Sequence, residues 1–352
     1  MQSENYLVSS WIKNETTLYF VPVNLNIVVI YNKSTGIKKL LPIREENFTQ
    51  NNLYSQCLRY ENKIIFIPLH AKNLLFLDIN NYEMEYVSIS RSIQKDPGYG
   101  YFSGGIIKDE NLYAIGYLFP GILKYNLVSR EMQVIDINIL EIGNLAYSYA
   151  LSGEDGISCA TNMGNIVTFF FNNDEIEIKK CSEYSFSGIT SNAERIWAFD
   201  NNKKCIIEYN SKNAEIFKIY LHDYIGCYEK ALYRYIKYVN GFLFLLPSKN
   251  APIIIYSIKE NKFSLLWENE SNNEGFSTIA SSVYDKKLYL TDYYKKRTYE
   301  INSVNLRICD YKIPIDKEII MDSIANDREI YLIEDAILLK DYINYLKHCN
   351  KE

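Results

Sequence analysis

Three carboxylates, Asp200, Asp292 and Glu334, stand at the same place in a recurring apolar segment, four residues after its first member. Carboxylates in register at comparable strand ends are the donors a hard cation takes and the groups that general acid–base chemistry uses. Two of them facing one another are also able to hold a glycosidic bond between them. Asp is at the same time a residue that strand-ending turns favour. The remaining members of the column are Pro22, Pro68, Gly116, Thr161 and Leu246.

Two arginines, Arg59 and Arg234, fall in segments that precede this column. A cation facing a narrow channel needs a carboxylate, water or a ligand. Around them lie aromatic residues: Tyr54, Tyr101, Phe102, Tyr147, Tyr149, Tyr184, Phe186, Tyr233, Tyr235 and Phe276. They form either a collar that stacks a sugar ring or grips a peptide, or wedges packed between neighbouring sheets. The candidate ligand-binding set is Arg59, Tyr101, Phe102, Tyr147, Tyr149, Tyr184 and Arg234, and the weak catalytic candidates are Asp200, Asp292 and Glu334.

Metal and cofactor chemistry finds little support. The three histidines, His70, His222 and His348, show no HxH or HExxH spacing. The chain has no GxSxG, no Walker-type loop and no GxGxxG after a strand. No cofactor and no metal are expected.

The elements that must position these residues follow from an internal repeat. Apolar segments begin at Leu18, Ile64, Leu112, Ile157, Ile196, Phe242, Leu288 and Ile330, spaced 46, 48, 45, 39, 46, 46 and 42 residues apart. Each is the second of four strand-like pieces, rich in Ile, Val, Tyr and Phe, with polar turns between them. The third piece often ends in Tyr-Asn, as in IVVIYN at 27–32 and CIIEYN at 205–210. A period in the forties filled with strands is the signature of β-propeller blades. The expected fold is all-β, a β-propeller of four-stranded antiparallel blades, with eight blades expected and seven plus a C-terminal segment as the alternative. In the eighth unit the first strand is placed around Ile319 to Ala325 and the second at Ile330 to Asp335. Nothing interrupts the repeat, so residues 1–352 are read as one domain.

Composition narrows the partners. The formal net charge is −5, with basic residues scattered among acidic ones, which lacks the concentrated basic footprint of nucleic-acid binding. No apolar run approaches a transmembrane length, and the N-terminus reads as a first strand, not a signal peptide. The seven cysteines are an odd number without CxxC pairing, which reads as a reducing, cytoplasmic protein with structural thiols. The 32 tyrosines rise together with Ile, Asn and Lys, a compositional drift more than a functional signal.

The stretch from Ser103 to Ile135 carries a Gly104-Gly105 pair, a Leu-Tyr strand, then Tyr125-Asn126 and a turn before a fourth strand. In this it resembles kelch-type propeller repeats, although the glycine pair lies in the first strand and not at the end of the second. The resemblance implies an interaction scaffold more often than an enzyme, and it carries over no catalytic residue. The leading expectation is a non-enzymatic propeller that binds a protein or peptide on the loop-bearing face around its central channel. The competing one is a carbohydrate-active or other small-molecule enzyme at the channel mouth. Neither involves nucleic acid or a membrane.

Overall fold

The computed structural model describes residues 5–46, 52–89, 101–117, 119, 121–181, 183–192, 194–210, 216–221, 232–269, 271, 274–292, 294–318 and 320. Seven four-stranded sheets contain the strands, and in each the strands pair with their sequence neighbours. Every described pairing is antiparallel, so each sheet is a meander.

Blade 1 comprises Ile12–Asn14, Thr17–Phe20, Ile27–Asn32 and Lys38–Pro42. Blade 2 comprises Tyr54–Tyr60, Lys63–Pro68, Asn73–Asp78 and Met84–Ser88. Blade 3 comprises Phe102–Lys108, Asn111–Gly116, Gly121–Asn126 and Met132–Asp136. Blade 4 comprises Leu145–Ser152, Gly156–Thr161, Asn165–Phe170 and Ile176–Lys180. Blade 5 comprises Phe186–Ser191, Arg195–Asp200, Cys205–Asn210 and Ile216–Tyr220. Blade 6 comprises Tyr233–Val239, Phe242–Pro247, Ile253–Ser257 and Lys262–Leu266. Blade 7 comprises Thr278–Tyr284, Lys287–Asp292, Arg297–Asn302 and Ile308–Asp310. The protein is therefore an all-β propeller of seven four-stranded antiparallel blades.

The contacts gather into two compact units. One contains residues 1–99, 296–298 and 311–352, and the other residues 100–295 and 299–310. Within the second unit the first strands of blades 3 to 7 stand side by side, each touching the next.

Burial explains the repeat pattern. Second strands such as Ile64–Pro68 and Leu243–Pro247 are buried throughout, because both faces of the sheet are covered. Such strands read as continuous apolar runs, not as alternation. Fourth strands are the exposed margins: Ile216–Tyr220 is open along most of its length. Apolar clusters join successive blades. Tyr54 and Phe66 of blade 2 pack with Tyr19 and Val21 of blade 1, and Tyr233 and Ile236 of blade 6 with Trp197 and Phe199 of blade 5. Truncating a ring such as Phe199 costs about 3–5 kcal/mol.

In blades 1, 2, 3 and 7 the turn between third and fourth strands obeys one local rule. The side chain of Asn32 accepts the N–H groups of Ser34 and Thr35 at 3.0 and 3.1 Å. Asn126 accepts those of Val128 and Ser129, Asp78 those of Asn80 and Asn81, and Asn302 those of Val304 and Asn305. The N–H of the fifth residue, Gly36, Tyr82, Arg130 or Leu306, then returns to the C=O of the first at 2.9 Å. That fifth residue has a positive φ of 71°, 64°, 64° and 55° in the four turns. An Asx side chain that replaces a backbone acceptor explains why the third strand ends in Asn or Asp.

The expectation of eight blades gives way to seven. Tyr6 donates its N–H to the Ile313 carbonyl at 3.0 Å, Asn5 bridges Pro314, and Trp11 stacks on Tyr311 at 5.2 Å. The chain leaving blade 7 is thus already paired with the chain start where the eighth unit would begin. Ile320 N–H bonds the Asp316 carbonyl, a helical bond at the point where an eighth first strand was expected. The later positions of that unit, including Ile330 to Asp335, lie outside the described residues.

Candidate functional site

The candidate site is built at the end of the blades where the turn from second to third strand meets the connection between blades. Asp200 and Asp292 end their second strands there and are 1% and 0% exposed. Asp200 accepts the N–H of Ser185 at 2.8 Å on one oxygen and those of Asn202 and Lys203 at 2.7 and 2.9 Å on the other. Asp292 accepts Ser277 N–H at 2.7 Å and Lys295 N–H at 3.0 Å in the same arrangement. Burial pushes the Asp292 carboxyl above the usual carboxylate range, and the two N–H donors oppose this.

The lysine three residues on completes the motif. Lys203 reaches Glu183 at 3.0 Å, and Lys295 reaches Glu268 and, at 3.2 Å, Glu274. Each glutamate lies in the connection leading into the same blade. Glu183 also takes Lys218 at 3.0 Å, and the two lysines hold its carboxyl down to about 2. Tyr299 donates to Glu268 at 2.6 Å. Sequence reasoning found Asp200 and Asp292 but missed their partners. The signal was present: Ser185, Asp200 and Lys203 recur as Ser277, Asp292 and Lys295, two repeats on.

Glu46, which the sequence did not single out, does comparable work in blade 2. It is 5% exposed and accepts the N–H groups of Lys72 and Asn73 at 2.7 and 2.9 Å and the Asn73 amide at 2.8 Å. Burial pushes its carboxyl up, against those donors.

Three of the aromatic candidates are buried. Tyr101, Phe102 and Tyr184 are 6%, 0% and 6% exposed. Phe102 packs against Phe119 with centroids 4.8 Å apart, and Tyr184 stacks on Phe186 at 5.8 Å. Tyr149 is half-buried and donates its hydroxyl to the Gly105 carbonyl of blade 3 at 2.7 Å. Tyr147 lies in the blade 4 first strand, but its side chain is outside the described residues, as are Glu334, His222 and His348.

The two arginines separate. Arg59 is exposed at the hairpin end of its strand, where it donates to the Glu61 carbonyl at 3.1 Å and to Asn14 at 2.7 Å. That is the opposite end of the strand from the Tyr54 side. Arg234 is exposed at the loop-bearing end of the blade 6 first strand. The pairing there slips by one residue between Tyr233 and Tyr235, so Arg234 is the extra residue of a β-bulge.

The bulge recurs. In blades 2, 3 and 5 the extra residue is Ser55, Ser103 or Ser187. The Ser55 and Ser103 hydroxyls return to carbonyls of their own second strands, Ile67 and Ile115, at 3.3 and 3.4 Å, while Ser187 lies 3.3 Å from the Phe199 carbonyl and 2.9 Å from the Tyr233 carbonyl of blade 6. Beside Arg234, the Tyr235 hydroxyl donates to the Ile279 carbonyl of blade 7 at 2.5 Å. Burial raises the Tyr235 phenol, and Tyr117 of blade 3 is near enough to raise it further, while Arg234 lowers it.

Among the described residues no group of His, Cys, Asp and Glu is arranged to hold a metal ion. No helix among them is long and apolar enough to cross a membrane. The sequence matches no protein family and no curated protein. Solved structures do resemble the fold. The β-propeller domain of Cps50 (Swd1) from Myceliophteria thermophila is similar with a TM-score of 0.60 at 9% identity, covering 84% of this chain and 96% of that one. Hsv2 from Kluyveromyces lactis gives 0.55 at 10% identity, covering 88% and 100%. The computationally designed Ika8 protein gives 0.58 at 6% identity, covering 88% of each. At such identities the likeness carries the propeller fold alone.

Proposed function

We propose that this propeller is a non-enzymatic scaffold that recognises a protein or peptide on its loop-bearing face, with Arg234 as the cationic anchor. The observation that carries the reading is the bulge. Where blades 2, 3 and 5 place a serine, blade 6 places an exposed arginine whose side chain also reaches the Tyr235 hydroxyl. Bulges re-aim side chains, and a planar guanidinium suits paired recognition of a carboxylate or phosphate. The Asp200 and Asp292 carboxylates support the same reading, because their oxygens are bonded to backbone N–H groups. They act as fasteners of the loops around Arg234. The carbohydrate-active alternative has no comparable observation behind it. The described cysteines are all unpaired thiols, which favours a reducing compartment.

The test is binding of fluorescent peptide pools, one acidic and one basic, to the wild type and to Arg234→Glu. Selective capture from the acidic pool, lost in the variant with an unchanged melting temperature, supports the proposal. Equal capture by both proteins removes Arg234 as the anchor.

A further inference from the structure

The outer strand of blade 5, Ile216–Tyr220, ends its sheet, and among the described residues no further strand pairs with it. Beyond Tyr220 the Leu221 N–H bonds the Lys204 carbonyl at 3.0 Å, so these two form a hydrogen-bonded pair of the antiparallel ladder. Bonded pairs alternate with non-bonded ones. Phe217 and Ile219, opposite Glu208 and Ile206, therefore turn their N–H and C=O groups inward. Those of Ile216, Lys218 and Tyr220 point outward along the open edge.

An open edge is a template for another strand, and proteins blunt it with charge or proline. The outer strand of blade 1 carries Lys38, Lys39 and Pro42, and that of blade 4 carries Glu177, Lys179 and Lys180. Blade 5 has a single charge there, Lys218, and leaves Ile216, Phe217 and Tyr220 38%, 51% and 51% exposed. Among the described outer strands, Ile178 of blade 4 is the only other exposed large apolar residue.

The charge indicates which strand fits. Lys218 and Lys203 both reach Glu183 at 3.0 Å, so one exposed carboxylate serves two ammonium groups and the edge stays positive. An acidic residue directly opposite Lys218 is favourable, and a like charge there is not. A second copy of this chain, in its fullest antiparallel overlap, would set Lys218 against Lys218. That argues for a different partner.

We propose that Ile216–Tyr220 is a docking edge for an extended segment of a partner protein, which joins blade 5 as a fifth strand. The segment carries an aspartate or glutamate opposite Lys218, flanked by apolar residues. Main-chain bonds to Ile216, Lys218 and Tyr220 hold it, and the side chains of the edge select it. The edge belongs to another blade than Arg234 and does not rest on the role of that residue.

The test is fluorescence anisotropy with three labelled heptapeptides of valine and threonine around one central residue. The centre is aspartate, lysine, or aspartate in a peptide with N-methylated backbone. The wild type should bind the aspartate peptide, bind the lysine peptide about tenfold more weakly as attraction turns to repulsion, and ignore the N-methylated one. Lys218→Glu should reverse the preference, and Phe217→Ser should weaken both. Absent binding of the aspartate peptide, or equal binding of its N-methylated form, would overturn the proposal. So would an unchanged preference in Lys218→Glu, the result expected if the aspartate meets Arg234 instead. Should that variant fail to fold, the N-methylated comparison on the wild type decides. Sedimentation of the wild type without peptide adds a last check: a dimer dispersed by Phe217→Ser would give the edge to a second copy and overturn the partner assignment.

Discussion

Asp292 holds the backbone of Ser277 and Lys295 as Asp200, two blades earlier, holds that of Ser185 and Lys203. Each carboxylate ties the approach to a first strand to the turn that leaves the second strand of the same blade. The bonds join segments 15 residues apart in sequence, so they close a blade at its loop-bearing end.

Removing either carboxylate leaves N–H groups that are wholly or partly buried without an acceptor. Asp200→Ala and Asp292→Ala should each lower stability by about 1–3 kcal/mol, read from urea denaturation. Because the two sites share no partner, the losses should add in the double variant. A loss near zero at both positions would show that the loops hold without them.

Lys237 gives a pH dependence with a definite sign. Its amine is lowered from 10.5 to about 8 in the folded protein. Between these values the unfolded chain binds the extra proton, so stability rises with pH across that window. Its strand partner Phe244 does not titrate, and burial raises Tyr235, two residues before it on the same strand, above the usual tyrosine range. The wild type should therefore gain on Lys237→Met as pH rises from about 8 to about 10. A constant difference between their denaturation midpoints would contradict the assignment.

The thiols should differ sharply in reactivity. Cys309 is exposed, while Cys57, Cys159, Cys181 and Cys205 are buried. Burial pushes Cys57 and Cys159 up to about 12 and Cys205 to about 11, and the thiolate is the reactive form. Among these five, iodoacetamide should label Cys309 first in the native protein, and the other four only after unfolding. Mass mapping of the tryptic peptides checks this.

Arg130 occupies the positive-φ place of its turn, at 64°, where Gly36 stands in blade 1. A left-handed backbone costs a side-chain-bearing residue roughly 1–2 kcal/mol, part of which glycine gives back in chain entropy. Arg130→Gly should raise stability by about 0.5–1 kcal/mol. A decrease would mean that the side chain contributes more than the strain removes.

Much of the fold was legible because the repeat is local. The second strands begin at, or one residue before, the start of their apolar runs, and the Tyr-Asn endings mark the outer turns seen at Asn32 and Asn126. Blade number was less legible, since apolar runs after Ile315 obey the same period while Ile313 pairs with the chain start. At the site, strand-end carboxylates were visible in sequence, but their acceptor role depends on which N–H groups the loops bring to them. Arg59 and Arg234 looked alike because each lies in a first strand. They differ because one stands at the hairpin and the other at a bulge, a distinction of register that residue type does not carry.

The outer turn is written within five consecutive residues, from Asn126 to Arg130 for example. A duplicated stretch of coding sequence therefore brings its own complete instruction for that end, wherever in the chain it lands. The opposite end has no such independence. There Asn201 clasps Tyr233 of the next blade, and Asn250 takes the N–H of Gly275, so every copy must be fitted to its successor. In blades 1, 2, 3 and 7 the outer-turn rim repeats one self-contained turn, while the rim that bears Arg234 is tied from one blade to the next.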